Sequence, residues 1–171
     1  MPTERNEQPA ASTSTPEDFN FLIGNWNVTH HRLSKRLVGD THWITFNGTM
    51  SAKLILGGLG NFDENVLNLP GETYLACTLR LFDPITRTWS IRWIDGRSPD
   101  LGDPLTGTFK NGEGTFNGSD REAGRPVLIR FLWSQITPVS ARWEQAMSDD
   151  SGATWETNWI MEFSRTTESA P

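Results

Sequence analysis

The amino-acid sequence predicts an all-β fold, an antiparallel up-and-down β-barrel of about ten strands. Three observations carry this. Apolar and polar residues alternate along much of the chain, most clearly over 155–163. There Trp155, Thr157, Trp159, Met161 and Phe163 share one strand face, and Glu156, Asn158 and Glu162 share the other. Turn residues recur between such stretches, drawn from 15 Gly and 10 Pro, and no stretch carries the period of an ordinary helix. Aromatic residues make up 11% of a chain that is only 36% hydrophobic. Few but large apolar side chains suit a small closed interior better than a helical bundle.

The elements follow in order. Residues 1–17 are rich in Thr, Ser, Pro and Glu and read as a disordered tail without the apolar core of a signal peptide. Residues 16–21 allow one helical turn, and Phe19, Phe21, Leu22 and Ile23 supply an apolar plug for one barrel end. Gly24, Asn25 and Trp26 open the first strand, which runs to about 36 with Trp26, Val28, His30 and Arg32 on one face. A long second strand over 41–56 has Gly48 to let it bend, and Gly57, Gly58 and Gly60 then break the ladder. The third strand (61–69) ends at Pro70-Gly71, and the fourth covers 73–82. A turn at Asp83-Pro84-Ile85-Thr86 leads into the fifth (88–95), whose Trp89, Ile91 and Trp93 share a face. The polar loop 96–104 is long enough to cover a barrel mouth. Strands over 105–110 and 113–119 flank Asn111-Gly112, a strong hairpin signal that sets Lys110 opposite Glu113. The last three strands cover 127–133, 141–147 and 155–163, and residues 166–171 form a second disordered tail. The barrel domain therefore spans 18–165.

Connections this short join neighbours, so the strands form a meander. An even strand count lets that meander close and bury its edges, with room inside for a small ligand. The same strands would also build a two-sheet sandwich; the interior aromatics favour the barrel.

Charge and composition narrow the function. A net charge of −6 and a pI near 5.0 argue against nucleic acid and anionic membranes, which select basic surfaces. No apolar run approaches the roughly 18 residues of a membrane-spanning helix, and the expected compartment is the cytoplasm. Cys77 has no partner for an intrachain disulfide, and its apolar run 75–81 suggests a buried free thiol.

The chemistry-bearing residues offer few constellations. His30 and His31 are adjacent on a strand and face opposite ways, and His42 pairs near Lys35, roughly 17 Å from His30 at strand rise. No metal site and no cofactor are expected. His30 alone faces inward, as a proton carrier, a ligand donor or a member of a polar core network. Asn61, Asp63, Glu64 and Asn65 form either a polar rim at a pocket or a solvated strand after a bulge, with Asp63 and Asn65 on one face. Arg92, Arg130, Arg142 and Glu144 lie opposite Trp93, Phe131 and Trp143. With tryptophans inward these charges form an outer lattice; a one-residue change in facing would exchange the two sets. Leu79 and Leu81 then fall outside and suggest a homodimer face.

Two resemblances add to this. Residues 21–26 (FLIGNW) resemble the opening of lipocalin-like (calycin-like) domains in a bacterial family of unknown function. The blocks LGGLGNFDEN (56–65), TLRLFDPITRTWSIRWIDGR (78–97) and ARWEQAMSDDSGATWETNWIMEFSR (141–165) resemble it too. The likeness implies a lipocalin/calycin-like barrel and brings no settled activity. A haem ligand of the kind used by ten-stranded nitrobindin-like barrels is not expected, because those use a late histidine and none follows His42. Ser148, Asp150, Gly152 and Thr154 resemble the Asp-box of sialidases; the motif occurs once, without a blade repeat, and reads as a hairpin turn.

The expected function is binding of a small, largely apolar or aromatic molecule inside the barrel. The expected ligand contacts are Trp26, His30, Trp43, Asp63, Asn65, Trp93, Trp133, Trp143 and Trp159. A barrel enzyme of cyclase, isomerase or pericyclase type is the alternative, assisted by His30, Asp63 or Glu144. A solid-core interaction protein is the third.

Overall fold

The computed structural model describes residues 14–167; of the tails expected at 1–17 and 166–171, residues 1–13 and 168–171 lie outside them. The described residues form ten strands: β1 (Gly24–Leu33), β2 (Trp43–Ile55), β3 (Gly60–Leu69), β4 (Glu72–Asp83), β5 (Thr88–Asp95), β6 (Leu105–Lys110), β7 (Glu113–Glu122), β8 (Arg125–Ser134), β9 (Ser140–Ser148) and β10 (Glu156–Arg165). Each pairs antiparallel with its sequence neighbours, and β1 pairs β10 to close the barrel. Closure pairs every strand on both sides, although β5 and β6 meet over only three residue pairs.

Turn chemistry sets the register. Asn111 and Gly112 both take positive φ (53° and 77°), and the hairpin places Lys110 opposite Glu113 as expected. In the β9–β10 turn, Asp150 accepts from the Ser148 hydroxyl (2.7 Å) and from Thr154 N–H (2.9 Å) and hydroxyl (2.6 Å). These bonds, led by the Thr154 hydroxyl, hold the Asp150 carboxyl down at about 2. Gly48 answers a close approach: a Cβ there would stand 2.4 Å from the Val66 carbonyl oxygen and 2.8 Å from His30 Nε2.

Alternation decides what faces inward. Trp26, Val28 and His30 on β1, Trp89 and Ile91 on β5, and Phe131 and Trp133 on β8 are all buried. Leu79 and Leu81 are half-buried on the outer face of β4. Cys77, expected to be buried, is half-buried on that outer face, because Tyr74, Ala76, Thr78, Arg80 and Phe82 take the inner one. Burial and the nearby Asp63 and Glu64 carboxylates push its thiol upward, away from a reactive thiolate.

A bulge changes β10. Pairing jumps from Trp159–Gln145 to Thr157–Ala146, so Asn158 is an extra residue. Asn158 and Trp159 both point inward, and the phase reverses before them. Asn158, expected outside, is fully buried; Thr157 is exposed, and Trp155 packs beneath Arg130, whose Cζ is 4.2 Å from the ring centroid.

One end is sealed. A 3-10 turn at Asn20–Leu22 seats Phe19 edge-on to Trp89 and to Phe109, each at 4.9 Å. Residues 14–17, read as tail in the sequence, belong to this plug: Ser14 is buried and its hydroxyl accepts from Phe109 N–H at 2.9 Å. Trp26 Nε1 donates to the Leu22 carbonyl (2.8 Å) and Trp89 Nε1 to that of Thr15 (3.3 Å). Arg165 straps the segment down through the Ile23 and Phe21 carbonyls at 2.7 and 2.6 Å.

Candidate functional site

The other end opens at a seam. β5 and β6 pair through only three residue pairs, Trp89–Gly107 to Ile91–Leu105. Beyond Ile91, β5 runs on without a β6 partner and the loop 96–104 arches across the gap. It is anchored by Arg92, which donates to the Gly102 carbonyl, and by an Asp95–Ser98 bridge. Beneath it lies a pocket of about 220 Å³ walled by Trp93, Trp143, Trp159, Phe131 and Gln145.

The walls are held in place. Trp159 stands 5.6 Å from Trp93 and 5.6 Å from Trp143, with interplanar angles of 81° and 89°. Its Nε1 donates to His30 Nδ1 at 3.2 Å, and His30 stacks on Phe46 at 4.6 Å. Accepting that bond makes His30 a neutral imidazole with its proton on Nε2. Burial, then the Arg32 and His31 charges, lowers its pKa to about 3. His30 therefore positions Trp159 and carries no charge near neutral pH.

A polar layer lies between the pocket and the plug. Arg80 donates to Asp63 (2.6 Å) and Asn61 (2.9 Å), while Asp63 also accepts from Asn65 (2.6 Å) and Thr78 N–H (3.0 Å). The Arg80 Cζ lies 5.2 Å from the Phe19 ring centroid, which ties this layer to the plug. A cavity of about 20 Å³ beside Arg80 and Trp133 has room for one water molecule. Arg80 Nε and Trp133 Nε1, both buried without a protein acceptor, suit such a guest. Trp93, Phe131 and Trp143 wall both spaces.

The expected contacts divide accordingly. Trp93, Trp143 and Trp159 come together at the pocket; His30 stands behind Trp159; Asp63, Asn65 and Trp133 line the small inner cavity. Trp26 belongs to the plug. Trp43 is 38% exposed and faces out, because Phe46, Met50 and Ala52 fix the opposite parity of β2 as the inner one. Glu144 lies on the outer face, 3.4 Å from Arg142. His30, Asp63 and Glu144 thus share no site. Of the other histidines, His31 faces out beside Thr45 and Glu162 (3.0 and 3.3 Å), and His42 is exposed. Among the described residues no group of three or more His, Cys, Asp or Glu is placed to hold a metal ion, and no helix is long and apolar enough to cross a membrane.

Arg80 and Gln145 escaped the sequence reading, Asn61 was read only as part of a polar rim or solvated strand, and Asn158 was placed on the outer face. Arg80 was findable, since it shares the parity of Tyr74 and Phe82 and falls opposite Asn61. Gln145 shares the parity of Trp143. Asn158 gave no signal, because the bulge interrupts an unbroken alternation.

The chain is similar in fold to a solved phycobiliprotein lyase. The S-type lyase CPES from Guillardia theta superposes with a TM-score of 0.63, over 96% of this chain and 99% of that one, at 9% identity. At that identity the likeness establishes the lipocalin-like barrel. No family model and no curated protein matches the sequence.

Proposed function

We propose that this barrel, a member of the calycin-like group its motif blocks resemble, binds one small aromatic molecule in the pocket beneath the loop 96–104. The observation that carries this is the three-tryptophan wall around about 220 Å³ of free space at the unplugged end. An apolar cavity of about 150 Å³ is enough to hold benzene, so one ring with a substituent fits between Trp93, Trp143 and Trp159. Stacking and edge contacts supply affinity, and Gln145 and the loop fix orientation.

A larger, tetrapyrrole-like ligand is the second reading. It is favoured by a cleft of about 420 Å³ beside the pocket, lined by Arg32, Lys35, Arg36 and Arg97, and by the lyase activity of the fold neighbour. Arg32 and Arg36 also stand over Trp159, 5.1 and 5.9 Å from its ring centroid, so a long ligand would run from the pocket across that ring.

Native mass spectrometry of freshly purified protein, with denaturing analysis of what is released, separates the readings. A reproducible adduct of one- or two-ring size supports the first, and a coloured adduct of tetrapyrrole size supports the second. Protein that stays ligand-free and gains no adduct from either class of added compound overturns both.

A further inference from the structure

We propose that the pocket selects an aromatic amine, binding its ring among the tryptophans and its protonated nitrogen at the acidic rim. This rests on the small-aromatic reading above and adds the charge of the ligand.

The charge distribution is one-sided. Asp95, Asp100, Asp103 and Asp120 line the pocket, and no Lys or Arg side chain does. Asp95 is spoken for: burial raises its carboxyl, but hydrogen bonds and charge from Arg97 outweigh this and hold it low. Asp100, Asp103 and Asp120 make no ion pair among the described residues. Asp100 accepts only Gly102 N–H (3.2 Å), and Asp120 only Arg121 N–H (2.7 Å). Three exposed carboxylate residues in the lining of one aromatic pocket attract a cation and repel an anion.

Two independent features point the same way. Gln145 is 5% exposed and lines the pocket; its amide nitrogen donates to Asn158 at 2.9 Å, leaving its oxygen as an acceptor without a protein donor among the described residues. An ammonium is all donors and no acceptor. The near-perpendicular tryptophans present indole faces, which attract cations. Trp159 already shows this preference, with Arg32 over its ring. The fixed cations bordering the pocket are themselves opposed: Arg36 pairs Glu122 at 3.6 Å, and Arg32 acts on Asp95.

Three single-ring probes that differ in charge test this: phenethylamine, phenethyl alcohol and phenylacetate. Each is titrated into the full chain and followed by protein tryptophan fluorescence, at low and high salt. The amine is expected to bind about tenfold more tightly than the alcohol, with phenylacetate weakest, and salt to narrow the gap. Asp103→Asn combined with Asp120→Asn, both at exposed positions, should remove most of the gap. Equal affinity for amine and alcohol, tighter binding of phenylacetate, or a gap that survives the double substitution would overturn the amine inference and leave the aromatic pocket standing. Failure of all three probes to bind would overturn both.

Discussion

The two ends of this barrel are built from the same material and reach opposite states. At the plug, Phe19, Trp89, Phe109 and Phe116 pack edge to face and stacked, and the N–H groups of Trp26 and Trp89 end on backbone carbonyls of the plug segment. At the mouth, Trp93, Trp143 and Trp159 meet at similar spacings, but no chain segment fills the space between them. An aromatic cluster is core where another piece of chain covers it, and a site where none does. The separating feature is the seam: β5 loses its β6 partner after three residue pairs, and the loop replacing that partner spans the gap without inserting a ring.

This division can be broken most forcefully from beneath the plug. Asp63→Ala would leave Arg80 as an unpaired charge at 4% exposure, with an expected loss of about 3–5 kcal/mol. Urea unfolding measures it; a loss under about 1 kcal/mol would mean that Arg80 finds water and the layer is not sealed.

A pair of truncations sharpens the contrast. Phe19→Ala should cost about 3–5 kcal/mol of stability and leave probe affinity unchanged in whatever protein remains folded. Trp93→Ala, at a half-buried position, should cost far less stability and weaken aromatic probes by about tenfold or more. Unfolding curves and titrations on both variants check this, and reversed effects would exchange core and site.

Near neutral pH the smallest effect is the pH dependence at the mouth, which grows only as the solution is acidified. His30 titrates near 6.5 when unfolded and at about 3 when folded, so between these values the unfolded chain binds the extra proton. Stability is therefore full above about 6.5 and falls as pH drops towards about 3, by at most about 1.4 kcal/mol per pH unit. His30→Gln should flatten that slope in denaturant titrations at stepped pH.

Much of the fold was legible because barrel strands write their facing into every second residue. Trp89, Ile91 and Trp93, or Val127 to Trp133, needed only parity, and Asn111-Gly112 announced its own register. The site was less legible for three physical reasons. Trp43 looked like the inward tryptophans by type, while its parity, opposite to that of Phe46 and Met50, places it outside. Arg80 is a charge in the core, held by partners on another strand, so composition argues against it until β3 and β4 are aligned. The pocket itself depends on where β6 leaves β5 and how the loop 96–104 returns, which is tertiary geometry without a local residue pattern.

The most direct measurement is the indole N–H NMR spectrum of nitrogen-labelled protein, titrated with phenethylamine and then with phenethyl alcohol. The eight tryptophans give one signal each, assigned by single substitutions. The pocket at the mouth predicts shifts concentrated on Trp93, Trp143 and Trp159, with Trp26 and Trp89 unmoved. Shifts centred on Trp26 and Trp89, or on the outward Trp43, would contradict it.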